Sequence, residues 1–196
     1  MDTKRKIIST ALHSFIRQGY DKTSLNSIAA ELGITKGAVY HHFTNKKALF
    51  DEALTQVFRD LEVWFYQGVM NTPDFRTMLR NYINFTSYFQ TTSLFEKQDL
   101  DGNLYKLMFD AADSVDGFRA KISQSYKSYI DIVRTKALEA QKNGEIRSDI
   151  DCEILAISLT TMVEGMLLFN SFSPQLKLDD RVDEVFSLIW KMIGTA

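Results

Sequence analysis

The chain has 196 residues, 45% of them hydrophobic and 24% charged, which is enough apolar side chain to bury a core without disulfide or metal staples. The net charge of −2 is uneven: residues 1–47 carry eight Lys/Arg against three acids, a net of +5, and the remaining 149 carry 15 against 22, a net of −7. A single cysteine, Cys152, excludes an intramolecular disulfide framework, and the spaced apolar residues after Lys4-Arg5-Lys6 do not form a signal peptide, so the expected location is the cytoplasm.

Two prolines, nine glycines and the absence of period-2 alternation make the chain read as helix almost throughout, an all-α protein of nine or so helices. Ile7, Ile8, Ala11, Leu12, Phe15 and Ile16 recur at helical spacing, and Gly19 supplies a stop. Thr23 or Ser24 can cap a short helix carrying Leu25, Ile28, Ala29 and Leu32, broken by Gly33. Thr35 can cap a second short helix from Lys36 to Phe43, with Val39 and Phe43 inward. Asn45 can cap a long helix running to about Met70. Thr72-Pro73 predicts the next start, with helices over 74–90 and 102–112. Longer helices are predicted over 117–142 and 152–171, and a last one is capped by Asp179 or Asp180. Residues 91–100 read as a loose polar stretch. The run from Ile154 to Phe169 is broken by Ser158, Thr160, Thr161 and Glu164, so no membrane partner is expected.

Function is carried by the two short helices and the Gly-containing turn between them, a helix-turn-helix arrangement whose second helix lies in the major groove. With Val39 and Phe43 inward, Lys36, Gly37, Tyr40 and His41 project outward. Lys36 is a cationic donor to guanine or phosphate, and Gly37 and Ala38 let the backbone approach the bases. Tyr40 offers a hydroxyl to phosphate, while Ser24, Thr35 and Lys46 sit near helix starts, where free N–H groups favour an anion. The competing reading is a plain three-helix bundle with a polar face.

The string from Thr23 to Phe43 with Asn45-Lys46-Lys47-Ala48-Leu49, preceded by Ala11-Leu12, Phe15 and Gly19-Tyr20, resembles the N-terminal domain of TetR family transcriptional regulators. Gly144-Glu145-Ile146-Arg147, Asp149-Ile150-Asp151 and Glu164-Gly165 are a fainter echo of that family's late helices. The resemblance implies a helix-turn-helix DNA-binding domain over 1–47 and a ligand-binding and dimerisation domain over 48–196. By position, Lys36, Gly37 and Ala38 would face bases, and Ser24, Thr35, Tyr40, His41, His42 and Lys46 would hold the backbone. Ala38 stands where family members often have a hydroxyl. The implied partners are a palindromic double-stranded operator, a second copy of the chain and a small apolar or aromatic ligand that releases a repressor. The alternative is a DNA-binding dimer without a small-molecule ligand.

The dimer is expected to use the apolar 152–171 helix and the last helix, through Leu159, Met162, Val163, Met166, Phe186, Ile189, Trp190 and Ile193; the other reading makes both helices core. Of 24 aromatic residues, 20 lie beyond residue 47. A pocket would draw on Phe65, Tyr88, Phe89, Tyr105, Phe109, Tyr126 and Tyr129, although each reads as well as packing. Glu164, a carboxylate in the most apolar helix, would cap a cationic ligand, pair across the dimer or face solvent. All three histidines, His13, His41 and His42, precede residue 47, so no metal site or cofactor is expected. No phosphate loop, HExxH or GxSxG occurs, and an enzyme is not expected.

Overall fold

The computed structural model describes residues 2–84 and 103–195, which form two compact units. Of these, the first comprises residues 2–62 and 103–116, the second residues 63–84 and 117–195. Nine α-helices occur among the described residues.

The first unit opens with α1 (Thr3–Gln18), capped by Asp2, which buries Ile7, Ile8, Ala11, Leu12, Phe15 and Ile16 on one face. It stops at Gly19, whose φ of 84° favours glycine. α2 (Leu25–Leu32) starts in a capping box: Ser24 Oγ accepts from Ser27 N at 3.0 Å, and Ser27 Oγ accepts from Ser24 N at 3.0 Å. Thr23, the other candidate cap, is buried and donates to Gly19 O. Gly33, left-handed at φ 65°, turns the chain into α3 (Lys36–His42), where Thr35 Oγ1 accepts from Ala38 N at 3.2 Å. Two interactions fasten α1 to α2, because Ser14 Oγ and Arg17 both donate to Glu31 at 3.0 Å. Asn45 Oδ1 accepts from Ala48 N at 2.8 Å at the head of α4 (Lys46–Phe65).

The unit does not end at residue 47 as expected. Leu49, Phe50, Ala53, Leu54, Val57 and Phe58 of α4 are buried, and Phe50 meets the Phe15 ring edge-on at 4.8 Å. The three-helix head lacks enough apolar surface to close its own core, so the first turns of α4 complete it. α6 (Asn103–Ser114) packs on α1 in the same unit, with Leu107 and Ala111 buried.

In the second unit the long helix does not remain α to Met70. It changes at Tyr66 into a π-helical turn, Tyr66–Met70, whose Gly68 carbonyl accepts from Asn81 Nδ2 at 2.7 Å. Asp74, not Thr72-Pro73, caps α5 (Phe75–Ile83): Thr77 N donates to it at 2.6 Å, and Thr72 Oγ1 donates back to Val69 O. α7 (Phe118–Lys142) and α8 (Cys152–Phe172) form the main helix pair, and α5 packs on α9 (Val182–Ile193). Neither Asp179 nor Asp180 caps α9. Both lie in the 3₁₀ turn Leu178–Arg181 before it, and Asp179 accepts from Asn170 at 2.7 Å. The tail closes on the α7–α8 turn through Arg147 N to Ile193 O and Thr195 N to Glu145 O, around the antiparallel bridge of Ile146 and Gly194. The expected loose stretch over 91–100, and the expected helix beyond residue 84, lie outside the described residues.

Candidate nucleic-acid interface and core aromatic cluster

In α3 only Val39 is buried, with Phe43 just after the helix; Lys36, Gly37, Tyr40 and His41 are exposed, and Ala38 and His42 are half-buried. This is the division that the spacing predicts. A Cβ built on Gly37 would meet only Thr35 Oγ1, at 3.9 Å, so nothing inside the fold demands glycine there. Ser24 and Thr35 are exposed at the starts of α2 and α3, where their side chains also act as caps. Lys46, half-buried at the start of α4, has partners within its own unit that the sequence does not indicate. Its Nζ donates to the carbonyls of Tyr20 at 3.0 Å and Asp21 at 3.2 Å, and lies 4.2 Å from the Tyr20 ring centroid. It therefore braces the α1–α2 loop.

The expected pocket residues divide. Phe65, Tyr126, Tyr129 and Glu164 belong to the second unit, Tyr105 and Phe109 to α6 of the first, and Phe109 is 67% exposed. Tyr88 and Phe89 lie outside the described residues. In the second unit the Phe65 and Tyr129 rings stack at 4.4 Å, and Phe65 meets Tyr82 edge-on at 5.8 Å. The Tyr82 hydroxyl donates to Thr160 Oγ1 at 3.0 Å, both residues being buried. Tyr126 hydrogen-bonds to Glu164. Burial first, and then the Glu164 charge, push the Tyr126 hydroxyl above its usual pKa; burial likewise raises that of Tyr82. Sequence reading missed Tyr82 and Thr160. The spacing of Phe75, Met78, Leu79, Tyr82 and Ile83 along α5 was the available signal for Tyr82.

The expected dimer residues are mostly spent inside their own chain. Leu159, Val163 and Met166 on α8, and Phe186 and Ile193 on α9, are buried in the second unit's core, while Met162, Ile189 and Trp190 pack half-buried against it. Trp190 is further engaged, with Phe186 stacked at 6.2 Å and the Arg76 guanidinium 5.4 Å from its centroid. Exposed instead are Ile154, Ile157, Leu168 and Phe172 on α8, and Leu188 and Met192 on α9. A helix apolar all round gives the sequence no way to choose its outer face. By length and composition α8 could cross a membrane over Cys152–Asn170, but one such helix is also what a core helix looks like. Among the described residues no group of three His, Cys, Asp or Glu is placed to hold a metal ion. Burial raises the Cys152 thiol pKa.

Residues 7–53 match the family described as bacterial regulatory proteins, tetR family, and residues 103–185 match the tetracyclin repressor-like C-terminal domain. The chain belongs to the TetR family. It is a DNA-binding transcriptional regulator and not an enzyme. It is 25% identical over 167 residues to the transcriptional repressor AcnR of Corynebacterium jeikeium, covering 85% of this chain and 80% of that one. A probable acrEF/envCD operon repressor of Escherichia coli is 43% identical over 56 residues, 29% of this chain and 26% of the relative. Among solved structures, a regulator from Saccharomonospora viridis in complex with choline superimposes with a TM-score of 0.76 at 21% identity, covering 98% of each chain. The SmeT–triclosan complex gives 0.74 at 21%, covering 98% of this chain and 92% of that one. These two TetR-fold likenesses bear on the fold alone.

Proposed function

We propose that this TetR family chain is a cytoplasmic repressor that binds a palindromic operator as a homodimer and is released by a small molecule held in the second unit. The observation that carries the DNA reading is Gly37. Gly37 is the second residue of α3, where glycine still costs up to about 0.5–1 kcal/mol of backbone entropy against alanine. With only Thr35 Oγ1 near its missing Cβ, at 3.9 Å, that cost serves close approach from outside, as a base edge would make.

Dimerisation is supported by α8, which packs one face on α7 and leaves Ile154, Ile157, Leu168 and Phe172 to solvent. On the same helix a Cβ at Gly165 would meet nothing within 4 Å, so another helix can come close there. A second copy is the occupant that a two-fold operator requires, since one head makes few phosphate contacts and two read half-sites about 34 Å apart. Ligand response needs coupling of only about 1–3 kcal/mol between the units. The ligand-bound neighbours, one with choline and one with triclosan, are the wider support for a small-molecule site.

The test is selection of bound duplexes by the purified chain, followed by titration of the selected palindrome with wild type and Lys36→Ala. Enrichment of a two-fold site, bound at two chains per duplex and weakened at least tenfold by the substitution, is expected. Absence of any enriched site, or equal affinity of the variant, defeats the assignment of α3 as the reading helix. Screening small molecules for release of that duplex separates the ligand-responsive repressor from a DNA-binding dimer with no ligand.

A further inference from the structure

We propose that Arg5 and Lys6, at the start of α1, form a second DNA-contacting surface that holds phosphates of the duplex other than those reached from the start of α3. This rests on α3 being the reading helix, as proposed above, and adds to the same interface two residues that hold the backbone and read no sequence.

A helix N-terminus is the positive end of its dipole, so a first turn favours acids and disfavours cations. α8 and α9 follow this preference, opening with Glu153 and with Asp183 and Glu184. α1 does the opposite: its first turn holds Lys4, Arg5 and Lys6 and no acid. α3 and α4 share the trait, with Lys36 and with Lys46 and Lys47 in first turns that lack acids. Helix starts of the first unit thus carry cations against the preference of the helix itself. An arrangement that the helix opposes is favoured by a polyanion outside.

Lys4 fixes where the start of α1 lies. Its Nζ is 5.8 Å from the ring centroid of Phe43, which closes α3, and 3.3 Å from Glu52 Oε1 on α4. The first turn of α1 therefore sits at the C-terminal end of α3, whereas Thr35 and Lys36 mark the N-terminal end. The seven residues of α3 span about 10 Å. That exceeds the rise of roughly 3.4 Å between successive phosphates of a strand, so the two ends address different phosphates. Lys4 is occupied by Phe43 and Glu52, but Arg5 and Lys6 are exposed and make no hydrogen bond or ion pair with the described residues. Asp2 caps Lys4 N and pairs with neither. In a helix each Cα–Cβ bond tilts towards the N-terminus, so both long side chains lean past the end of α1. Arg offers a forked donor and Lys a point charge, and both suit phosphate oxygens.

The experiment titrates the full chain against the selected operator and against a random duplex of equal length, over a range of salt. Wild type is compared with Arg5→Gln plus Lys6→Gln, with Lys36→Ala, and with Lys191→Gln, an exposed lysine of α9. The double variant is expected to weaken both duplexes by a similar factor, about tenfold or more. Its slope of log affinity against log salt should fall by about 1–2, because each phosphate contact contributes about 0.9. Lys191→Gln should leave the slope unchanged. A neutral methylphosphonate linkage, moved along the operator, should weaken wild type at one or more positions where the double variant is indifferent. The melting temperature of the double variant should hold or rise, since cations leave the first turn of α1. An unchanged slope, a loss matched by Lys191→Gln, or identical methylphosphonate profiles overturns the surface. If the double variant behaves as described while Lys36→Ala binds the operator like wild type, the α1 surface stands and the assignment of α3 falls. If no operator is enriched, the slope on the random duplex still decides for or against the surface.

Discussion

Tyr82 on α5 and Thr160 on α8 meet hydroxyl to hydroxyl at 3.0 Å with both residues buried, so two helices are joined by a polar bond inside an apolar core. Leaving a buried donor without its acceptor costs about 1–3 kcal/mol, whereas removing both partners is nearly neutral. Thr160→Val is therefore expected to destabilise the chain by about 1–2 kcal/mol in urea unfolding, and Tyr82→Phe with Thr160→Val to recover much of that loss. Strictly additive losses would show that the pair does not couple.

The same phenols predict an alkaline limit. Burial is the largest cause that raises Tyr82 and Tyr126, so their folded pKa values lie above the unfolded value. A group shifted this way contributes stability that is complete below the unfolded pKa and is lost as pH rises through the folded one. Unfolding free energy should accordingly begin to fall above about pH 10, and fall less steeply in Tyr126→Phe. Parallel curves for wild type and variant through that window would count against the shift.

Gly37 separates folding from binding. Because a Cβ there meets only Thr35 Oγ1, at 3.9 Å, Gly37→Ala is expected to raise stability by about 0.5–1 kcal/mol through helix propensity. Operator affinity should fall in the same variant, and further in Gly37→Val. A thermal melt and a binding titration moving in the same direction would refute the reading.

Lys36 and Lys46 should behave differently although both are cations of the reading head. Lys36 is exposed at the start of α3, and Lys36→Ala is expected to lower operator affinity without lowering the melting temperature. Lys46 donates to Tyr20 O and Asp21 O, so Lys46→Ala should also destabilise the first unit by about 1–2 kcal/mol. Denaturant midpoints for the two variants decide this. Equal midpoints would make Lys46 a free surface lysine.

The dimer prediction turns on which face of α8 is touched. Ile157→Glu with Leu168→Glu, on the exposed face, should yield a folded monomer by light scattering with operator affinity greatly reduced. Val163→Glu, on the buried face, should unfold the chain instead. A dimeric Ile157→Glu, Leu168→Glu variant would move the interface elsewhere.

The reading head was legible because its signals are local. Caps at Ser24 and Thr35, the stop at Gly33 and inward Val39 and Phe43 are each settled within a turn or two of chain. The bonds of Lys46 to the Tyr20 and Asp21 carbonyls were not legible, because those partners are remote in sequence and backbone carbonyls leave no mark on composition. The same limit hid the Tyr82–Thr160 pair, 78 residues apart. On α8 the periodicity carried no phase, so core and outer residues could not be told apart; Leu159 and Val163 proved to be core, and Ile154 and Leu168 to lie outside. α4 kept its apolar spacing past residue 47, which was a readable sign that the head needed it.

The π turn at Tyr66–Met70 gives the end of α4 one place where a residue can be lost. It holds more residues per turn than an α-helix, so deleting Gln67 would let the backbone close as a regular helix at little local cost. The residues after it would then keep nearly their present phase around the axis, and the fully buried Val69 position would still face Phe75 and Leu79. A deletion within Lys46–Phe65 removes a residue from regular helix instead and rotates everything after it by about 100°. A library of single-residue deletions across α4 should therefore find its mildest loss of function at this turn.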